Sequence, residues 1–208
     1  ALVIDPQNSK WVNIVDPRSL LRDSASIIAT LDEDGLLTGE AVITYYDLSR
    51  ASKIEEDNKE NKEDDDDLYL LNDVPDIKID TTYQLDKEND LLPLKQVIKF
   101  HYELPSTNEF YFLNPFLFST FQKNPFTDST RRTDIDFGAN SSFLVHMEVT
   151  LPQKIKIEEL TKNKVIRTPD TILLFNRFNE LHGNILVVNS RFDINQATFA
   201  KEDYPAVA

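Results

Sequence analysis

The chain has no cysteine in 208 residues, one methionine, one tryptophan and only four glycines. Without thiols there is no disulfide, no Cys-ligated zinc and no thiolate nucleophile. Cysteine-peptidase and transglutaminase chemistry are therefore excluded within this chain. The glycines, at 35, 39, 138 and 183, are scattered, so no glycine-rich phosphate loop can form, and no Gly-x-Ser-x-Gly elbow occurs. Basic residues are also scarce: 22 Lys and Arg stand against 36 Asp and Glu, a formal net charge of −14. Nucleic acid and anionic membrane need the opposite sign, so neither is an expected partner. No apolar run is long enough to span a bilayer, the first residues do not read as a signal peptide, and no direct membrane insertion is expected.

Histidine is scarce too. His101, His146 and His182 have no partner at i, i+4 on a helix, and the first two alternate with apolar neighbours on strands. No metal site and no cofactor is expected from them. Paired carboxylates are abundant, but without convergence they are no sign of acid–base work, and no catalytic residue is assigned. An enzymatic reading would need a pocket in which His101 or His146 meets a carboxylate.

What the chain does have is alternation. A length of 208 residues suffices for a core that buries roughly 70% of the unfolded surface. Ala25–Leu31 and Leu36–Tyr46 alternate around Asp32-Glu33-Asp34-Gly35, a hairpin signal rather than an EF-hand loop, whose other acids are missing. After Tyr46 the period changes, and Asp47 or Ser49 caps an expected helix running through Arg50, Ala51 and Ile54 into the acidic run Glu55–Asp67. That run reads as a solvated helix end or loop, with a second short helix over 68–71 capped by Asp66. Strand character returns at Ile77–Ile79 and at Leu94–Leu104, which places Val97, Lys99 and His101 on one face and Ile98, Phe100 and Tyr102 on the other. Further strands are expected at Glu109–Leu113, Ile135–Phe137, Phe143–Leu151, Thr171–Phe178 and Asn184–Ile194, the last two joined by a loop over 179–183. The fold class is mainly β: an antiparallel β-sandwich of about nine strands with one short helical insertion around residues 47–72. Residues 1–24 read as a lead-in from a preceding domain and 25–208 as the sandwich, with a sub-boundary near 72–75. Both ends read as cut from a longer polypeptide.

The stretch NPFLFSTFQKNPFTDSTRRTDIDF, 114–137, carries two Asn-Pro-Phe triplets and Arg131-Arg132. Proline removes a ladder donor and forbids its preceding Asn the helical region, so each Asn-Pro stops strand pairing and starts a turn. Phe116, Phe118, Phe121 and Phe126 would then plug the end of the core, with an arginine stacked on a ring. The competing readings are a domain-docking face made by Phe116, Phe121, Phe126, Arg131 and Arg132, and a small-molecule site. Asp134 and Asp136 beside Arg132 suggest cross-strand ion pairs. Trp11 with Tyr45, Tyr46 and Tyr111 offers either core packing or an aromatic platform.

Several of these stretches occur together in one known arrangement. LDEDGLLTGEAVITYYDLSR, Tyr111–Phe116, Asn124-Pro125-Phe126 with Arg131 and Asp134–Phe137, Leu151-Pro152 followed by Ile157–Leu160, and a final Phe199 with Asp203-Tyr204 resemble the C-terminal β-rich domain of unknown function of Bacteroidetes transglutaminase-like proteins. In such proteins the catalytic Cys, His and Asp lie in a preceding core, so none is carried over here. The acidic insertion after Arg50 departs from the family's pattern. The resemblance implies a non-catalytic accessory domain that packs beside or positions a transglutaminase-like domain of the same polypeptide. It also implies a periplasmic or cell-surface location. The alternative is an independent module for a peptide or glycan ligand.

Overall fold

The computed structural model describes residues 2–3, 10–11, 20–59, 77–119 and 130–204. β1 (Leu2–Val3) and β2 (Lys10–Trp11) pair as a small antiparallel sheet. β3 (Leu20–Leu31) and β4 (Leu36–Tyr46) form the expected hairpin. The Asp32 carboxylate accepts from the backbone N–H groups of Asp34 and Leu36 at 3.0 and 2.8 Å, and Gly35 takes φ +88°. That is a turn closed by a residue in the left-handed region, where only glycine is free of strain. β3 takes in residues 20–24, which the sequence groups with the lead-in.

Helix α1 (Asp47–Lys59) follows Tyr46 directly, as the change of period predicts. Asp47 makes the corner at φ +48° and pairs with Arg22 at 2.9 Å. Ile54 packs on the core, while the Lys53 ammonium is buried against Asp57 at 3.0 Å and Glu56 at 3.3 Å. Gln84 donates to the Asp57 carboxylate at 2.8 Å, which ties the helix to the next strand. Residues 60–76, with the second helix and the sub-boundary, lie outside the described residues.

β5 (Ile77–Leu85) and β6 (Leu94–Glu103) complete one antiparallel block. β7 (Ile135–Asp136), β8 (Asn140–Thr150), β9 (Lys164–Arg167), β10 (Leu173–His182), β11 (Ile185–Ile194) and β12 (Thr198–Phe199) follow. The large sheet has eight strands in the order β5-β6-β4-β3-β8-β11-β10-β9. The mainly β expectation with one helical insertion holds, and among the described residues no closed barrel forms. The sheet is mixed, however. β3 and β8 run parallel from Leu20 beside Asn140 to Thr30 beside Thr150. These strands are distant in sequence and no tight turn dictates their relative direction, so two antiparallel blocks of four meet edge to edge at one parallel seam.

One face of the sheet is buried. Ile27, Ala41, Ile98, Met147 and Val188 form one cross-strand row of it, and Phe100 and Leu94 flank that row. Ile54 of α1, the 113–118 corner, and Ile155 and Ile157 cover it. A smaller cluster joins Ile135, Ile194, Phe199 and Tyr204, so the β7–β12 pair caps the end of the same face. The opposite, outer face carries mixed side chains.

Several strands differ from expectation: β5 runs on to Leu85, β8 starts at Asn140, and β9 and β12 are additional; two further differences have a clear local cause. Glu109–Leu113 is not a strand; only an isolated bridge joins Ser106 to Tyr111. Pro105 interrupts the ladder, and the Thr107–Phe110 turn folds the aromatics into a short loop instead. β10 runs to His182, past the loop expected at 179–183. A two-residue Gly183-Asn184 turn suffices, with Gly183 at φ +64°, so polar Asn179, Glu180 and His182 stay in the ladder.

Candidate functional site

The corner at 114–119 follows from its residues. Asn114 Oδ1 accepts from Phe116 N–H at 2.9 Å, and Ser119 N–H donates to the Phe116 carbonyl at 3.1 Å, so Asn-Pro starts a turn as expected. Leu117 and Phe118 enter the core, and the Phe118 ring meets Phe100 edge-to-face at 4.9 Å. Phe118 holds φ +59°, a strained backbone for a bulky residue that its buried ring keeps in place. Phe116 is half-buried, 6.2 Å from the Phe175 ring. For these residues the packed-corner reading fits.

Phe121, Phe126 and the second Asn-Pro lie outside the described residues. Arg131 and Arg132 are exposed. Asp134 and Asp136 do not pair with Arg132. Their carboxylates accept the backbone N–H groups of Lys201 (3.0 Å) and Gly138 (2.8 Å), which hold turns around the short β7. Of the proposed platform residues, Tyr45 is core, bonded to Gln96 at 3.1 Å, and Tyr46 lies under the Arg22 guanidinium at 4.4 Å. The side chain of Trp11 is not among those described.

Two motifs far apart in sequence meet at the loop end of the sheet. The Tyr111 ring lies over Gly35, where any Cβ would collide with it, and its hydroxyl donates to the Glu33 carbonyl at 3.4 Å. Leu104 N–H donates to the Gly35 carbonyl at 3.0 Å, and Phe112 N–H to the Pro105 carbonyl at 2.8 Å. Tyr111 thus anchors the 105–112 loop on the 32–35 turn. Its neighbours Phe110 and Phe112 remain 45% and 54% exposed. Glu33, Asp34, Glu103 and Glu109 are exposed around them.

Each of the three histidines meets a carboxylate or an amide on the sheet. His101 contacts Asp80 at 2.8 Å, His146 contacts Asn189 at 2.7 Å and Glu148 at 3.1 Å, and His182 contacts Glu180 at 2.9 Å. Cross-strand registers put all three on the outer face of the sheet, where they are partly or largely open to solvent. Both ring nitrogens of His146 are engaged. Among the described residues no group of His, Asp and Glu is placed to hold a metal ion.

One feature was not foreseen. Asp23 lies on the inner face in a row between Tyr45 and Phe143, beside a cavity of about 20 Å³ that Phe118 also lines. Its Oδ1 has no hydrogen-bond partner. Burial pushes the carboxyl pKa up to about 6; the nearby Ser49 hydroxyl lacks good hydrogen-bond geometry and offsets that only in part. The sequence held a signal for it: alternation puts Asp23 on the face of Ala25 and Ile27.

No curated protein and no solved structure matches the chain. A match to a protein family begins in the aromatic loop, takes in the corner and continues through β7–β12, the β8 side of the parallel seam. Residues 108–208 are thus similar to DUF3858, a family described as a domain of unknown function with solved-structure structure.

Proposed function

We propose that the chain is a non-catalytic accessory domain that packs beside a transglutaminase-like peptidase core in a larger polypeptide and helps position it, in a periplasmic or cell-surface setting. The observation that carries this reading is the loop at 105–112. It is fixed by Tyr111 on Gly35, yet it holds the two flanking phenylalanines, Phe110 and Phe112, in solvent. A rigid loop loses little entropy on docking, and paired exposed aromatics are what an interface buries at its centre. The transglutaminase-like partner comes from the resemblance of the sequence motifs, and the similarity to a domain of unknown function is compatible with it.

The test is calorimetric titration of the chain with the separately expressed transglutaminase-like core, wild type against Phe110→Ala/Phe112→Ala. Micromolar or tighter association, weakened at least tenfold by the double substitution with the melting temperature kept, is the expected result. Absence of association overturns the reading. Binding of the isolated chain to peptides or glycans would then favour an independent module.

A further inference from the structure

The eight-stranded sheet ends in two edges, and the sequence treats them differently. β9 is four residues long, with Lys164 and Arg167 at its ends. Antiparallel pairing of β9 with its own copy would set Lys164 against Arg167, so like charge blunts that edge. β5 is nine residues long, and its first third is blunted another way. A bulge between Ile79 and Thr81 breaks the ladder, and the extra residue, Asp80, is held by His101.

The rest of β5, Thr81-Thr82-Tyr83-Gln84-Leu85, carries no charge, glycine or proline. It consists largely of strand-favouring residues and, among the described residues, is regularly paired to β6 on one side only. Tyr83 and Leu85 point to the outer face and are each 44% exposed. Backbone donors and acceptors along an unprotected edge recruit another strand.

We propose that Thr81–Leu85 is a self-recognition edge at which a second copy of this chain adds its own β5 antiparallel, extending the sheet across a twofold axis. The register is self-complementary. With Tyr83 opposite Tyr83 of the second copy, Thr82 faces Gln84 and Thr81 faces Leu85, and no charges are opposed within the window. A five-residue ladder is a small interface, and two chains of −14 repel one another. The dimer is therefore weak, and it tightens as salt screens that repulsion.

Sedimentation velocity from 10 to 500 μM, at low salt and at 0.5 M NaCl, tests it. Wild type should dimerise progressively with concentration, and more at high salt. Tyr83→Lys and Thr81→Lys should each weaken dimerisation at least tenfold while keeping the monomer's melting temperature, and Val165→Lys on β9 should leave it unchanged. A chain monomeric at all concentrations overturns the proposal. So does a dimer that Val165→Lys weakens, or one insensitive to both β5 substitutions.

Discussion

Replacing Asp23 by Asn should make the protein more stable at neutral pH. The carboxyl titrates near 6 in the fold, against an ordinary value of 3.8. The folded state therefore holds more protons than the unfolded state between about pH 4 and 6. Stability from this group is fully present below the unfolded pKa and is lost as pH rises through the folded one. Two units at 1.36 kcal/mol each give about 3 kcal/mol of destabilisation by ionised Asp23 at pH 7.5. Asparagine removes the charge but brings an NH₂ group that needs a partner, a cost of about 1 kcal/mol. The expected gain is thus about 2 kcal/mol at pH 7.5, falling away towards pH 4. Urea unfolding followed by far-UV circular dichroism at pH 4, 5, 6 and 7.5 measures it. Other acids, including Asp57, which burial would raise but Gln84, Lys53 and Lys87 together hold low, contribute equally to both proteins and cancel in the difference. A difference that does not change with pH, or an Asp23→Asn protein less stable at pH 7.5, would refute the burial argument.

The remaining predictions separate packed groups from exposed ones. Phe118→Ala should cost about 3–5 kcal/mol in urea unfolding, since it empties the contact with Phe100, whereas Phe112→Ala should stay within about 0.5 kcal/mol. Gly35→Ala should cost about 2 kcal/mol or more, from the left-handed backbone and the collision with Tyr111. In a double-mutant cycle, Tyr111→Ala should relieve part of that cost; strict additivity would mean that the ring is not what crowds Gly35. A fragment of residues 108–208 should fail to show cooperative melting, because removing β3 opens one whole edge of β8, leaving it paired to β11 alone.

Local chemistry made much of the fold readable. Asp32 and Gly35 announce a hairpin, Tyr46–Asp47 marks the change to helix, and the alternation from Leu94 assigns the faces of β6 correctly, although Val97 on the outer face is also buried. The parallel seam was not readable. Alternation in β3 and β8 says which side chains face inward but not which way a distant partner runs. The aromatic run from Phe110 to Leu113 misleads for a related reason. Its composition suits a strand, but the placement of Pro105 and the Thr107–Phe110 turn decides otherwise. Of the candidate site, the motifs were visible separately; that Tyr111 covers Gly35 is a contact across more than seventy residues, and a single sequence gives no hint of it.

The seam also has a consequence for synthesis. β3 emerges from the ribosome about 120 residues before the strand that covers its far side, as the pairing of Leu20 with Asn140 requires. At about 5–20 residues per second that interval lasts roughly 6–24 s. During it β4 can close the hairpin, but the other edge of β3, from Leu20 to Leu31, has no partner in the nascent chain. The first block of the sheet is thus exposed to mispairing with neighbouring nascent chains. A slowed ribosome would lengthen that exposure and should lower the yield of folded protein.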